Sequence, residues 1–297
     1  TAQVPLEFKN GALNYNMNWY YGPAKYEILN DYERNLDEIM PLGWGIFGWI
    51  NRYIFIPVFG FISALGIGYG IAIVLFTILV RIVMSPVTYK SYLSQAKMKV
   101  LRPEITELNE KFKDNPMKKQ QETMKLYSKA GVNPMAGCLP ALMQMPIFYA
   151  LFQFFPSMFD LRQKSFLWAD DLSSYDSIYQ LPFHIPFYGS HVSLFPILAS
   201  IAIFFYMKMT TGDQAMSTPT QEGMPDMGKI MKIMIYISPV MMLFFFNNYA
   251  SGLSLYYFIS NLITIGIMLV IKNYIVKEDK ILAKIQENKS KPKTESK

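Results

Sequence analysis

Four stretches of this chain carry no Asp, Glu, Lys or Arg: Arg52 to Arg81, Lys129 to Asp160, Asp176 to Lys208, and Lys232 to Lys272. Each is longer than the roughly 20 predominantly apolar residues that a helix needs to cross a bilayer core. Water-soluble folds seldom leave so much chain uncharged, so the gaps predict an all-α membrane protein. Only 17% of the residues are charged, well under the quarter typical of soluble domains. The candidate spans are Ile62–Pro86, Pro134–Pro156, His191–Met209, Met227–Asn247 and Gly252–Asn273, five transmembrane helices in all.

Between the first two spans lies a charged segment in which Leu101, Ile105, Leu108 and Phe112 recur at helical spacing. Asn115–Pro116 interrupts it before a second amphipathic piece reaching Met124 and Tyr127. This predicts a helical hairpin, residues 88–131, outside the membrane. Lys90, Lys97, Lys99, Lys111, Lys118, Lys125 and Lys129 make it strongly basic, whereas Ser157–Ser190 carries Asp160, Asp170, Asp171 and Asp176. Positive charge collects on the cytoplasmic side of membrane proteins. The hairpin and the lysine-rich tail, 276–297, are therefore expected in the cytoplasm and the N-terminal part outside, a parity that five crossings satisfy.

Residues 1–40 are polar, with weak alternation in Ala12–Asn18, and read as the end of a soluble β-rich domain. Residues 41–60 hold Leu42, Trp44, Phe47, Trp49, Tyr53 and Phe55. Such rings favour the headgroup level, so an interfacial helix is expected here, turning near Pro57–Gly60 into the core of residues 61–275. The spans Ile233–Phe246 and Val192–Met207 are short, which predicts local thinning of the bilayer. The first residue is Thr1, and with no signal peptide in view a targeting segment is expected upstream.

Arg81 is the outstanding residue, since an arginine at the centre of a spanning helix costs about 2.5–3.5 kcal/mol on insertion scales. Two readings stand. Its head can snorkel toward the interface, or it can line a hydrated cavity. Thr77, Arg81, Ser85 and Thr88 share one helix face, and Tyr257, Ser260, Asn261 and Thr264 repeat the pattern in the last span. Gln144 adds an amide from the second span. Each polar residue alone is as readily interhelical glue; together they favour a wet, positively charged cavity open to the cytoplasm, which would lower the desolvation barrier for a polar segment in transit.

No catalytic constellation is visible, and no cofactor or metal motif: the chain has a single cysteine, Cys138, which reads as a packing residue. His184 and His191 read as solvated loop residues. Met143, Met145, Met241 and Met242 are either lipid contacts or a flexible surface for varied apolar partners. The tail is too polar to pack and is expected to be disordered. It serves either topology and anionic headgroups or attraction to ribosomal RNA.

The segments Thr77–Arg81 with Pro86, Gly131–Pro140, Gln144–Phe148, Ser251–Tyr257 and Ser260–Asn261 resemble, in order and spacing, the YidC-type membrane protein insertases of bacteria and their organellar relatives. The similarity runs from about Pro41 to Asn273. Tyr21–Tyr26 resembles the end of the periplasmic β-sandwich domain of Gram-negative members, which implies a further span and most of that domain ahead of Thr1. The resemblance implies an insertase in the bacterial inner membrane, with a groove open to cytoplasm and lipid and a mobile cytoplasmic hairpin. Arg81 matches the groove arginine, and Thr77, Gln144, Tyr256, Tyr257 and Ser260 fall on matching positions. The implied partners are nascent membrane proteins, the Sec translocon, the ribosome and the lipid bilayer. Some members carry glutamines where this chain has Ile267 and Met268, and the polar loop Gly212–Gly228 has no role that follows. The competing expectation is a small-solute or anion transporter using Arg81, although the chain has no half-to-half repeat of the kind transporters often show.

Overall fold

The computed structural model describes residues 18–113, 115–133, 139–211, 227–275 and 278–290. The chain divides into two compact units, Thr1–Met40 and Pro41–Lys297. In the first, the described residues form a short helix, α1 (Tyr26–Asn30), and a 3-10 turn at Leu36–Ile39, with no strand. Most of the segment expected to alternate, Ala12–Asn18, lies outside the described residues.

The second unit is built mainly of apolar helices. It opens with α2 (Ile46–Ile50), a π-turn at Asn51–Phe55 and α3 (Ile56–Ser63), one continuous run. The wide turn comes just before Pro57, which has no N–H to donate to the preceding turn. The chain therefore does not bend at Pro57–Gly60 as expected. It breaks at 64–68 instead, where Gly66 (φ 70°) and Gly68 (φ 81°) take left-handed backbone that a side chain would resist.

This first run lies across α7 (Leu139–Ser157) rather than alongside it. Phe47 packs on Tyr149, Asn51 Nδ2 donates to the Ala150 carbonyl (2.9 Å), and Phe59 packs on Phe154. From Phe47 to Phe59 the run advances about 18 Å, but the contacted stretch of α7 covers about 8 Å. Its outer face exposes Trp44, Trp49 and Tyr53.

α4 (Tyr69–Val100) is a single helix of 32 residues, about 48 Å long. It passes Pro86 unbroken, so the helix that holds the first span runs on without a break into the segment expected to open the hairpin at 88. An X–Pro in mid-helix loses one hydrogen bond, and the turns on either side hold the helix through it. The hairpin proper is α5 (Arg102–Lys111) and α6 (Pro116–Ala130), standing on the end of α4. Asn115 caps α6 by accepting from Lys118 N (3.0 Å), the break foreseen at Asn115–Pro116.

The remaining helices are α8 (Leu194–Thr211), α9 (Met227–Phe246), α10 (Ser251–Val270, extended by a π-turn at Ile271–Ile275) and α11 (Glu278–Ser290). α10 packs on α4 and α8, and α8 on α9. By length and composition, Ile46–Ser63, Tyr69–Val100 and Ser251–Tyr274 can each cross a membrane, while Leu194–Thr210 and Lys232–Phe246 are shorter apolar helices.

Three further expectations are corrected. The loop between α7 and α8 folds as a β-hairpin, β1 (Tyr179–Ile185) with β2 (Gly189–Val192) antiparallel, so the unit is not purely helical. The tail is not wholly disordered, since 278–290 is the helix α11. His191 is buried, not solvated: its ring stacks on Tyr175 at 3.9 Å between centroids and its Nε2 lies 2.8 Å from the Asn247 carbonyl. His184 is exposed. Cys138 and most of the 212–228 loop lie outside the described residues.

Candidate functional site

Most of the polar stripes seen in the sequence turn inward, and several satisfy themselves. Thr77 Oγ1 donates to the Ile73 carbonyl (2.7 Å), Asn261 Nδ2 to Tyr257 O (2.9 Å) and Thr264 Oγ1 to Ser260 O (2.8 Å). Thr88 does the same with Met84 O (3.2 Å). Each bond reaches one turn back within its own helix, so these groups do not tie helices together. Arg81 does: its Nε donates to Ser260 Oγ, joining α4 to α10. Among the described residues no carboxylate pairs with it.

Around Arg81 gather groups from three other helices. Its charge acts on Tyr206 of α8 and on Tyr256 and Tyr257 of α10, and Gln144 of α7 lies beside the Tyr257 hydroxyl. Tyr206 was not singled out in the sequence, because nothing in the α8 pattern marks which ring points inward. Gln144 Nε2, Ser200 Oγ, Ser254 Oγ and the Tyr256 and Tyr257 hydroxyls are buried without a well-aligned hydrogen bond among the described residues, although Tyr257 faces Gln144 and Tyr256 faces Ser260. Such groups are costly in apolar surroundings, so a cluster of them is a place suited to polar company.

Ser85 stands apart from this cluster's bonds. With Pro86 and Tyr89 it lines an open groove of about 540 Å³ whose other wall is Ile263, Gly266 and Ile267 on α10. Its walls are almost wholly apolar, and Ile267 belongs to it, while Met268 is buried.

Arg81 stands 12 residues after the start of α4, about 18 Å along it, and about 14 Å before Lys90. Toward the start of α4 the space is filled by rings. Phe76 packs against Phe55, Phe59, Phe154 and Tyr256 with centroids 5.3–6.3 Å apart. Phe59, Phe76, Phe154 and Tyr256 are fully buried. Edge-on geometry dominates, as the aromatic quadrupole favours. The cluster therefore has a dry aromatic floor on one side of the arginine.

On its flank, α7 meets the end of α9 and the turn after it through rings: Phe148 with Phe246 (6.2 Å), Phe152 with Phe245 (5.5 Å), Phe152 with Tyr249 (4.3 Å). Elsewhere the two helices share little backbone contact. Elsewhere along their length they expose Leu142, Met143, Met145, Ile233, Ile237 and Met241. Met242 of α9 is half-buried.

Beyond the floor, the loop 158–193 is fastened to the turn between α9 and α10. Asn247, fully buried, accepts Ser193 N (3.0 Å) at Oδ1 and donates from Nδ2 to the carbonyls of Tyr188 (2.8 Å) and His191 (2.9 Å). Ser251 and Gly252 donate their N–H groups to Ser174 and Leu172. Asp176 Oδ2 accepts from Trp168 Nε1, Leu194 N and Phe195 N at 2.8–2.9 Å, which caps α8.

Burial pushes the Asp176 carboxyl above the usual carboxylate range, and the bonds from Phe195, Trp168 and Leu194 only partly oppose it. The folded state thus holds the Asp176 proton more tightly than the unfolded chain. Its contribution to stability is complete below the ordinary Asp value of about 3.9 and is lost as pH rises through the higher folded value. Asp176→Asn keeps an acceptor for α8 without the charge. The melting temperature of the variant, relative to wild type, is expected to rise across that window; parallel pH profiles for the two proteins would refute the assignment.

The comparisons with known proteins agree with this architecture. The model of the 60Kd inner membrane protein family matches residues 60–279. The chain is 47% identical to the membrane protein insertase YidC of Parabacteroides distasonis, over 100% of this chain and 48% of that protein. It is 45% identical to YidC of Amoebophilus asiaticus (92% of this chain, 44% of that protein) and 45% identical to YidC of Bacteroides fragilis (94% and 45%). The chain thus spans about half the length of the relatives it matches. With the family model covering most of the chain, including Arg81, α4 and α7 to α10, the chain belongs to the 60Kd inner membrane protein family.

Proposed function

We propose that this chain is the core of a membrane protein insertase of the bacterial inner membrane, and that Arg81 and its polar surroundings form the groove through which a client's hydrophilic segment passes. The observation that carries the reading is Arg81, with no carboxylate partner among the described residues, bonded to Ser260 and acting on the buried Tyr256 and Tyr257 beside Gln144, between helices that are otherwise apolar. Polar segments cross a bilayer only where their groups are hydrated or matched. A half-depth groove with fixed donors shortens the dry part of that path. No covalent step is required, and the family resemblance offers none.

In this reading α4, α7, α8, α9 and α10 are the five spans, and the α2–α3 run lies in the outer interface with Trp44, Trp49 and Tyr53 at headgroup level. The hairpin and α11 are cytoplasmic, the N-terminal unit and the β1–β2 loop periplasmic. Residues 1–40 are the end of a periplasmic β-sandwich domain. Thr77, Gln144, Tyr256, Tyr257, Ser260 and Asn261 line or brace the groove with Arg81, and Ser85 serves its apolar mouth. The Met-bearing stretches of α7 and α9 receive the client's apolar span. Short α8 and α9 thin the bilayer there. Partnership with the Sec translocon and with the ribosome, through the basic hairpin and tail, belongs to the same proposal. An anion transporter is the weaker reading, since the relatives named above are insertases.

The test is insertion of a short, acidic-tailed, single-span client into vesicles with and without the protein, read as protease protection of the translocated tail. Equal protection in both sets of vesicles rejects the proposal.

A further inference from the structure

Residues 278–290 are hydrophilic in sum but hide an apolar edge, Ile281 and Ile285 one turn apart, with Asn288 and Lys289 following. That edge is seated. Ile281 and Ile285 are buried against Met98 and Leu101 at the end of α4, Ile105 of α5, and Tyr127 and Ala130 of α6. Polar contacts set the register. Asn288 Nδ2 donates to the Ala130 carbonyl (3.3 Å), and Lys289 Nζ reaches both carboxylate oxygens of Glu104 at 2.6 Å. Gly131 ends α6 in the left-handed region (φ 63°), and a Cβ there would lie 2.8 Å from Asn288 Nδ2. The close approach at Gly131 is thus specific to a seated α11.

The hairpin is poorly supplied with a core of its own. α5 and α6 make few contacts with each other, and α6 touches α11 about as extensively as it touches α5. Without α11, the apolar faces of Ile105, Tyr127 and Leu101 would open to water. Among the described contacts, the occupant is held by two apolar anchors, a long hydrogen bond from Asn288 and one partly exposed ion pair. A 13-residue helix is marginal alone in water, and exposed ion pairs hold weakly. The two elements therefore depend on each other, and the joint is light enough to open.

We propose that α11 is a releasable latch. Seated in the groove formed by the end of α4, α5 and α6, it holds the hairpin in one orientation; lifted, it frees both the hairpin and an acceptor groove for an amphipathic helix bearing Ile–x–x–x–Ile followed by Asn–Lys. The segment 278–290 of this chain is the resident occupant of that groove. The inference rests on the packing alone and not on the client reading, so the two can fail separately.

Amide hydrogen exchange on the full chain in lipid nanodiscs tests it. Ending the chain after Ile275 should speed exchange in 102–112 and 116–130 by about ten-fold or more, while α4 below Met84 and α10 stay as in wild type. Ile285→Asp should do the same. Glu104→Lys should give a smaller rise that Glu104→Lys/Lys289→Glu reverses. A synthetic 278–290 peptide added to the shortened chain should restore protection, and the Ile285→Asp peptide should not. Unchanged hairpin exchange after truncation, or equal action of the two peptides, overturns the latch.

Discussion

Arg81→Ala is expected to lower insertion of an acidic-tailed, single-span client by about ten-fold or more, while Arg81→Lys keeps most of it. A carboxylate about 5 Å from a guanidinium gains about 3 kcal/mol at an effective dielectric near 20, and each 1.4 kcal/mol is a factor of ten. Lysine keeps the charge but has no Nε aimed along the plane of a fork, so its bond to Ser260 is the part at risk. That bond predicts a second-order effect: Ser260→Ala leaves the charge in place and should cost far less than Arg81→Ala. Insertion is read by protease protection in vesicles holding equal amounts of each variant. If Arg81→Ala and wild type protect the tail equally, the arginine is a snorkelling residue and the groove mechanism fails, while the fold stands.

Asn247→Leu, in the α9–α10 turn, should strongly destabilise the docking of the 158–193 loop. The side chain serves Ser193 N and the carbonyls of Tyr188 and His191 at once. Leucine has the same branched shape but leaves Ser193 N and the His191 carbonyl without this partner, each worth about 1–3 kcal/mol when buried, while the Tyr188 carbonyl keeps only Asn248 Nδ2. A total loss of about 3–5 kcal/mol is expected, since the loop can relax toward water. Thermal unfolding in detergent measures it, and limited proteolysis within 157–190 should become fast. A melting temperature within a degree of wild type would show that the turn and the loop are not coupled through Asn247.

How much of this was legible in the sequence follows from what each element depends on. The apolar runs and the hairpin break at Asn115–Pro116 were readable because hydrophobic period and proline chemistry are local. Arg81, Thr77, Gln144, Tyr257 and Ser260 were readable because a polar group inside an uncharged run stands out. The pairing of Arg81 with Ser260 was not, since it joins helices 179 residues apart in the chain. The passage of α4 through Pro86 was missed because proline signals a boundary on average, and here the helix on both sides outweighs it. His191 reads as a solvated loop residue; only the return of the loop onto the α9–α10 turn buries it against Asn247. α11 was misread for a different reason. Composition was weighed over the whole tail, and the two isoleucines one turn apart were averaged away.

The ring layer around Phe76 has an electrical consequence. If water from the cytoplasm reaches Arg81, the membrane potential does not fall evenly over the core of about 30 Å. It falls mainly across the remaining 18 Å or so between Arg81 and the start of α4, where packed rings fill the space. The field there is steeper by roughly the ratio of those lengths. One elementary charge crossing it exchanges about 2.3 kcal/mol per 100 mV, all of it over the last stretch. A negatively charged tail waiting beside Arg81 is therefore at the edge of a compressed voltage drop, and with the cytoplasm negative that drop pulls it outward.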